Sequence, residues 1–150
     1  MAMRIEVQGI PIDIHVRGEG RSLLMLHGWS ADHAYLAADL DALVAEQEGW
    51  RRIYFDLPGH GTTPAPDWLN TQEQMLEIVT SIADQVIGEE PFAVAGNSYG
   101  GYLTLGLVRT GHDQCALVMS SLHRERTWIA RGWVSVARPL VLRAYHYSVR

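Results

Sequence analysis

Four short, mostly apolar runs decide what this chain can fold into: LLML at 23–26, RIYF at 52–55, PFAVAG at 91–96 and CALVMS at 115–120. They lack the strict alternation of a half-buried strand, so they suit strands covered on both faces. Helical patterns lie between them. From about Asp32 to Ala45, Leu36, Leu40, Leu43 and Val44 fall at helical spacing. After a Thr71–Gln74 capping box, Met75, Leu76, Val79, Ile82, Ala83 and Val86 form a second apolar stripe that Gly88 ends. A third helix is expected from about Tyr99 to Thr110. Alternating helices and doubly covered strands predict an α/β fold, a mostly parallel sheet joined by right-handed crossovers. The start differs. RIEVQ (4–8) and IPIDIHV (10–16) alternate apolar and polar residues around Gly9, which predicts an antiparallel hairpin. RGEGRS (17–22) and DLPGHGTTPAPDW (56–68) read as loops.

At 150 residues and 47% hydrophobic, the chain suits one domain with a real core. No apolar stretch reaches the roughly 18–20 residues of a membrane span. The opening MAMRIEVQGI lacks a secretory apolar region, and Cys115 is the only cysteine, so no internal disulfide can form. A cytoplasmic location is the expectation. Charge is divided sharply. Residues 1–122 carry six Arg and sixteen Asp/Glu, net −10, whereas 123–150 carry six Arg and only Glu125, net +5. The acidic body argues against nucleic acid as the main partner.

The chemistry concentrates at three strand ends. Gly96-Asn97-Ser98-Tyr99-Gly100 is G-x-S-x-G between a strand and a helix, the context in which this motif raises a nucleophilic serine on a strained turn. Its glycines relieve collisions, and the helix start points N–H groups at the same place. Met25–Ser30, MLHGWS, ends the earlier apolar strand in a His-Gly turn. There the Trp29 N–H joins that of Tyr99 as a candidate oxyanion donor. His27 could be a base, but a local hydrogen bond that holds the turn suits its place at a strand end better. Phe55–Gly61, FDLPGHG, puts Asp56 at a strand end and His60 on the loop beyond. Asp56 is expected to tie the loop through backbone N–H groups rather than act as a triad acid. His60 either faces the pocket or packs in the loop. Neither a metal-ligand cluster nor a dinucleotide fingerprint occurs, so no cofactor and no metal are expected.

HGWS, DLPGHG and GNSYGG, in that order and each at a strand end, resemble the α/β-hydrolase superfamily over roughly residues 4–122. The closer likeness is to esterase- and proline-iminopeptidase-like members. The resemblance implies Ser98 as nucleophile, the Trp29 and Tyr99 amides as oxyanion hole, and an acyl-serine route to cleavage of an ester, amide or related acyl bond in a small substrate. A serine at this place sets the chain apart from haloalkane dehalogenases. His27, Gly28, Asp56 and His60 would shape the pocket.

The resemblance also implies an acid and then a histidine downstream. Beyond Ser120 the chain offers only Glu125, His123 and His146. His123 and His60 are therefore the substitute bases to consider. The expected organisation is 1–122 as the N-terminal part of a hydrolase core and 123–150 as an atypical Arg-rich tail. A truncated or frame-shifted continuation is the favoured reading of that tail. A cap segment interrupted at Pro139 is a second. A third is an interfacial segment, from Arg124, Arg131 and Arg138 at seven-residue spacing with Trp128 and Trp133; chance spacing explains that pattern better than membrane contact. The alternative to an enzyme is a catalytically incomplete fragment or a binding protein that kept the pocket.

Overall fold

The structure, a computed structural model, describes residues 1–44, 49–110 and 115–121. Nine elements follow in order: β1 (Ala2–Val7), β2 (Ile10–Arg17), β3 (Arg21–Leu26), α1 (His33–Val44), β4 (Trp50–Phe55), α2 (Gln72–Val86), β5 (Phe92–Asn97), α3 (Tyr99–Arg109) and β6 (Cys115–Ser121). The strands form one sheet in the order β1-β2-β4-β3-β5-β6. β1 and β2 are an antiparallel hairpin, β2 runs antiparallel to β4, and β4, β3, β5 and β6 are parallel. The fold class is the expected one. Among the described residues, no helix is long and apolar enough to cross a membrane.

Two apolar layers hold the sheet. On one face Ile10, Ile12, Ile14 and Val16 project from β2 at period two and meet Met75, Ile78, Val79 and Ile82 of α2 and Leu103 and Leu107 of α3. On the other, Leu36 and Ala37 of α1 cover Leu23, Met25, Tyr54 and Ala95. The central strands are buried from both sides, which explains their unbroken apolar runs.

The strand limits depart from the sequence pattern at one end of the sheet. Arg21 and Ser22 belong to β3 and Trp50 and Arg51 to β4, because they continue the ladder in register, Arg21 opposite Trp50 and Ser22 opposite Arg51. The Arg21 guanidinium lies 4.5 Å from the centre of the Trp50 ring. Pairing thus carries polar residues into strands whose apolar runs begin later, and the expected loop at 17–22 shrinks.

α2 starts at a full capping box. The Thr71 side chain accepts the Gln74 N–H at 3.2 Å, and Gln74 Oε1 accepts the Thr71 N–H at 3.1 Å. Thr71→Ala removes the side-chain half of that pair. It is expected to lower unfolding free energy by about 1 kcal/mol, read as a shifted urea midpoint at unchanged slope.

Candidate active site

The topology reverses direction at β3. From β3 the chain moves to β4 through α1 on one face; from β4 it crosses back over β3 to β5 through α2 on the other face, and α3 stays on that face. Right-handed crossovers require the helices to change sides when the direction changes. The loops leaving the adjacent strands β3 and β5 therefore diverge and open a crevice beyond their carboxyl ends. Leu26 is paired with Gly96 in the last register step, so the residues just beyond each strand, Gly28 and Ser98, face one another.

Ser98 sits in that crevice with φ 51° and ψ −109°, a conformation that side-chain-bearing residues avoid. Holding it costs on the order of 1–3 kcal/mol. Two glycines make the bend possible. A Cβ on Gly96 would strike the Gly100 carbonyl, and a Cβ on Gly100 would strike the Leu26 carbonyl and come within 2.7 Å of that of His27. The first turn of α3 thus rests directly on the end of β3. Ser98 is exposed, and its hydroxyl has no hydrogen-bond partner among the described residues.

Two backbone N–H groups, those of Tyr99 and Trp29, adjoin this bend and the facing turn. The Tyr99 N–H is the first of α3 and lacks an acceptor within the helix, as every initial helical N–H does. On the β3 side, the Ala31 N–H donates to Gly28 O at 3.3 Å, closing a turn whose third residue, Ser30, has φ 60°. Such a turn uses the N–H of its fourth residue; that of its second, Trp29, has no partner among the described residues.

His27 fixes this turn. It is wholly buried; its Nε2 accepts the Leu57 N–H at 2.8 Å, and its Nδ1 lies 2.8 Å from Gly28 O. A carbonyl only accepts, so Nδ1 carries the hydrogen and Nε2 the lone pair. With both nitrogens engaged, His27 has no lone pair to offer Ser98. Burial, with lesser effects from its neighbours, pushes its pKa below the ordinary value.

Asp56 anchors the facing loop. It is 3% exposed. One oxygen accepts the His33 N–H and faces His33 Nδ1, each at 2.8 Å; the other accepts the Thr62 N–H at 2.9 Å. Burial alone would raise its pKa, but the His33 and Thr62 N–H groups and the His33 ring outweigh that and lower it. The carboxylate therefore joins the end of β4, the start of α1 and the His60 loop. His33, stacked on His15 with ring centres 4.1 Å apart, was not legible beforehand as Asp56's partner. Only its place beside the cap residue Asp32, whose Oδ1 accepts the Tyr35 N–H, hints that it opens a helix.

His60 is half-buried, with Nδ1 3.1 Å from Pro58 O, and its ring packs edge-on to Trp29 at 5.1 Å. Trp29 is 67% exposed and also meets Tyr99 edge-on at 5.5 Å. A cleft of about 650 Å³ brings together Gly28, Trp29, His60 and Ser98. Asp32 and Tyr35 of the α1 start also line it; nothing in their sequence context marked them. His27 and Asp56 stand behind it rather than on its wall. His123, His146 and Glu125 lie outside the described residues.

The depressed pKa of His27 has a consequence for stability. The unfolded chain protonates this ring near the ordinary value of about 6.5, the folded chain only at lower pH. Between the two, the unfolded state binds more protons, so its contribution is complete above the unfolded pKa and is lost as pH falls through the folded one. His15, lowered by burial and by His33, acts in the same sense. The urea midpoint is expected to fall between pH 7.5 and pH 5.5, and less steeply in His27→Gln.

Comparison with known proteins fits this geometry. The sequence profile described as the alpha/beta hydrolase family matches residues 23–149. The pimeloyl-[acyl-carrier protein] methyl ester esterase of Legionella pneumophila (strain Paris) is 34% identical over 139 residues, 91% of this chain and 52% of that protein. The enzyme of the same name from Nitrosomonas europaea is 33% identical over 96 residues, 64% of this chain and 34% of its own length. The chain thus spans about half the length, or less, of these curated relatives. Among solved structures, an alpha/beta superfamily hydrolase from Oenococcus oeni PSU-1 superposes with a TM-score of 0.66 at 29% identity, over 73% of this chain and 40% of that one. A Vigna radiata epoxide hydrolase mutant gives a TM-score of 0.70 at 23% identity, over 84% and 41% of the two chains, a likeness of fold. The order of strands, the bend at Ser98 and the profile match agree: this chain belongs to the alpha/beta hydrolase family.

Proposed function

We propose that the chain carries the nucleophile half of a serine esterase. The observation that carries this reading is Ser98 itself, held at φ 51° on the wall of a cleft, its hydroxyl without a hydrogen-bond partner among the described residues. Ser98 Oγ attacks the ester carbonyl and its proton passes to a base. The carbonyl oxygen becomes an oxyanion held by the Trp29 and Tyr99 N–H groups. The alkoxide leaves with a proton, and water then attacks acyl-Ser98 to release the acid and restore the serine. The relatives' names favour a methyl ester of an acyl group borne on an acyl-carrier protein over an amide or peptide. No metal or redox cofactor enters this scheme.

His60 is the histidine that the described residues bring to the cleft. Its Nδ1–H is directed to Pro58 O, which leaves the lone pair on Nε2, without a partner among the described residues. His123 follows β6 and is the other base to consider. We read 1–122 as the N-terminal part of a hydrolase core and 123–150 as an Arg-rich tail, although the family match runs on to residue 149. The Ser98 hydroxyl, with no base bonded to it among the described residues, also admits a second reading, a chain that keeps the pocket and binds esters without turning them over.

A fluorophosphonate probe separates the two. Labelling is expected at Ser98, located by peptide mass spectrometry and absent from Ser98→Ala, with ester turnover in that variant reduced by ~10⁴-fold or more. A folded wild-type chain that takes up no label is the binding protein of the second reading. Of His60→Gln and His123→Gln, the variant that slows labelling by about 10²–10⁴-fold identifies the base.

A further inference from the structure

A second cleft, of about 520 Å³, adjoins the first. The two share Trp29, Ser30, Gly59 and His60, so they meet along the ridge where the Trp29 ring stands edge-on to His60. Their walls differ. The Ser98 cleft continues toward Asp32 and Tyr35. The second is walled by Pro58 and Ala65 of the 56–68 loop, by Leu69 just before α2, by Met75 in the first turn of α2, and by Tyr99. Its polar members beyond His60 and Ser30 are uncharged: Asn70, Thr71 and Gln72. Gln74 ties the Asn70 and Thr71 N–H groups into the α2 cap, so the rim is built of satisfied backbone.

We infer that this second cleft is the acyl-chain subsite of the ester that Ser98 attacks, and that Leu69 and Met75 set the preferred chain length. The inference rests on the esterase reading above. In a methyl ester the alcohol portion is a single carbon, so almost all apolar surface to be buried is on the acyl side. The ligand is an unbranched, uncharged acyl chain of several carbons, because the wall, among the described residues, offers apolar surface and, His60 apart, no side chain that carries charge. Met75 suits such a chain. Its flexible thioether adapts to a sliding methylene run, and it is held in the core by α2 while one edge faces the cleft. Tyr99 would join chemistry and chain: its amide is the proposed oxyanion donor, while its ring stands next to Trp29 and the residue lines the apolar cleft.

The full chain tests this in two independent ways. The first uses Ser98→Ala with ¹³C-methyl methionine, so no turnover intervenes. Methyl hexanoate is expected to shift the Met75 methyl resonance saturably, and methyl acetate to leave it in place; Met75→Leu, a volume-conserving change, assigns the signal. The second compares labelling of Ser98 by octyl and methyl fluorophosphonates. The octyl probe is expected to react faster, and Ala65→Trp to lower the octyl-to-methyl ratio by about 10-fold or more, the scale on which apolar pockets discriminate chain length. Ala65 is exposed, so the larger ring fills the cleft without entering the core; an unchanged far-ultraviolet spectrum and melting midpoint check that. A Met75 signal that ignores methyl hexanoate, or an octyl-to-methyl ratio that Ala65→Trp leaves alone, overturns the inference while labelling at Ser98 keeps the esterase reading. Absent labelling with a saturable Met75 shift does the reverse: it removes the chemistry and retains the apolar subsite.

Discussion

The contact on which the site depends is that of the α3 backbone with the end of β3. Gly100 lies so close to the Leu26 and His27 carbonyls that there is no room for a side chain between them. That closeness brings a helix start, with its unpaired N–H groups, onto the carboxyl end of a neighbouring parallel strand. It also dictates the conformation of Ser98, because the chain must leave β5 and enter α3 within one residue. Were the helix displaced outward, the serine could relax to an ordinary conformation, and its separation from the Gly28 turn would open. The Cβ that a Gly28 substitution would add lies 3.3 Å from Ser98 Cβ, so the two loops are already in contact. The Ser98 bend and the Gly28–Trp29 turn are thus one packing unit.

Two buried polar side chains keep that unit in place from the far side. His27 bonds the turn that carries Trp29 to the strand end at Leu57, and Asp56 bonds the next residues of the loop to the start of α1. Neither reaches the cleft wall. Each brings a group into the interior that would be costly without partners, and each finds them chiefly in backbone N–H and C=O groups of loops with no ladder of their own. The loops around the cleft are consequently held by side chains in the way strands are held by one another. Proton uptake at His27 Nε2 removes its bond from Leu57, and proton uptake at Asp56 weakens its bonds from His33 and Thr62, so both act on the loops that border the cleft.

Much of this was legible because it is encoded in period and punctuation. The doubly covered strands appear as LLML and PFAVAG, the amphipathic α2 as a stripe behind a capping box, and the bend at Ser98 as glycines at fixed offsets. What stayed hidden depends on contacts distant in sequence. The polar starts of β3 and β4 are strands only because Arg21 finds Trp50 across the ladder. His33 is unremarkable among its neighbours and becomes the partner of Asp56 through a contact spanning 23 residues. The second cleft joins residues on the 56–68 loop, α2 and α3, and no local pattern announces that they share a wall. Asp56 shows the limit from the other side. Its role as a loop anchor was expected from its place at a strand end, whereas the identity of the groups it ties was not.

The strain at Ser98 is set against the rest of the molecule. A cost of about 1–3 kcal/mol is a sizeable part of the 5–15 kcal/mol by which a domain is typically stable. It is tolerated here because the bend is flanked by the best-packed parts of the sheet: Val94 and Leu26 before the two loops, and Leu103 and Leu107 along the helix that follows, all at most 1% exposed. Those residues cannot move without opening the core, so the serine between them cannot relax. Thr104 adds to this, its buried hydroxyl donating to Gly100 O at 2.7 Å and occupying that carbonyl at the point of closest approach. The apolar core under α2 and α3 therefore has a second consequence besides stability. It holds an exposed hydroxyl in a conformation the backbone would not choose, which makes the geometry of the cleft a property of residues that never touch it.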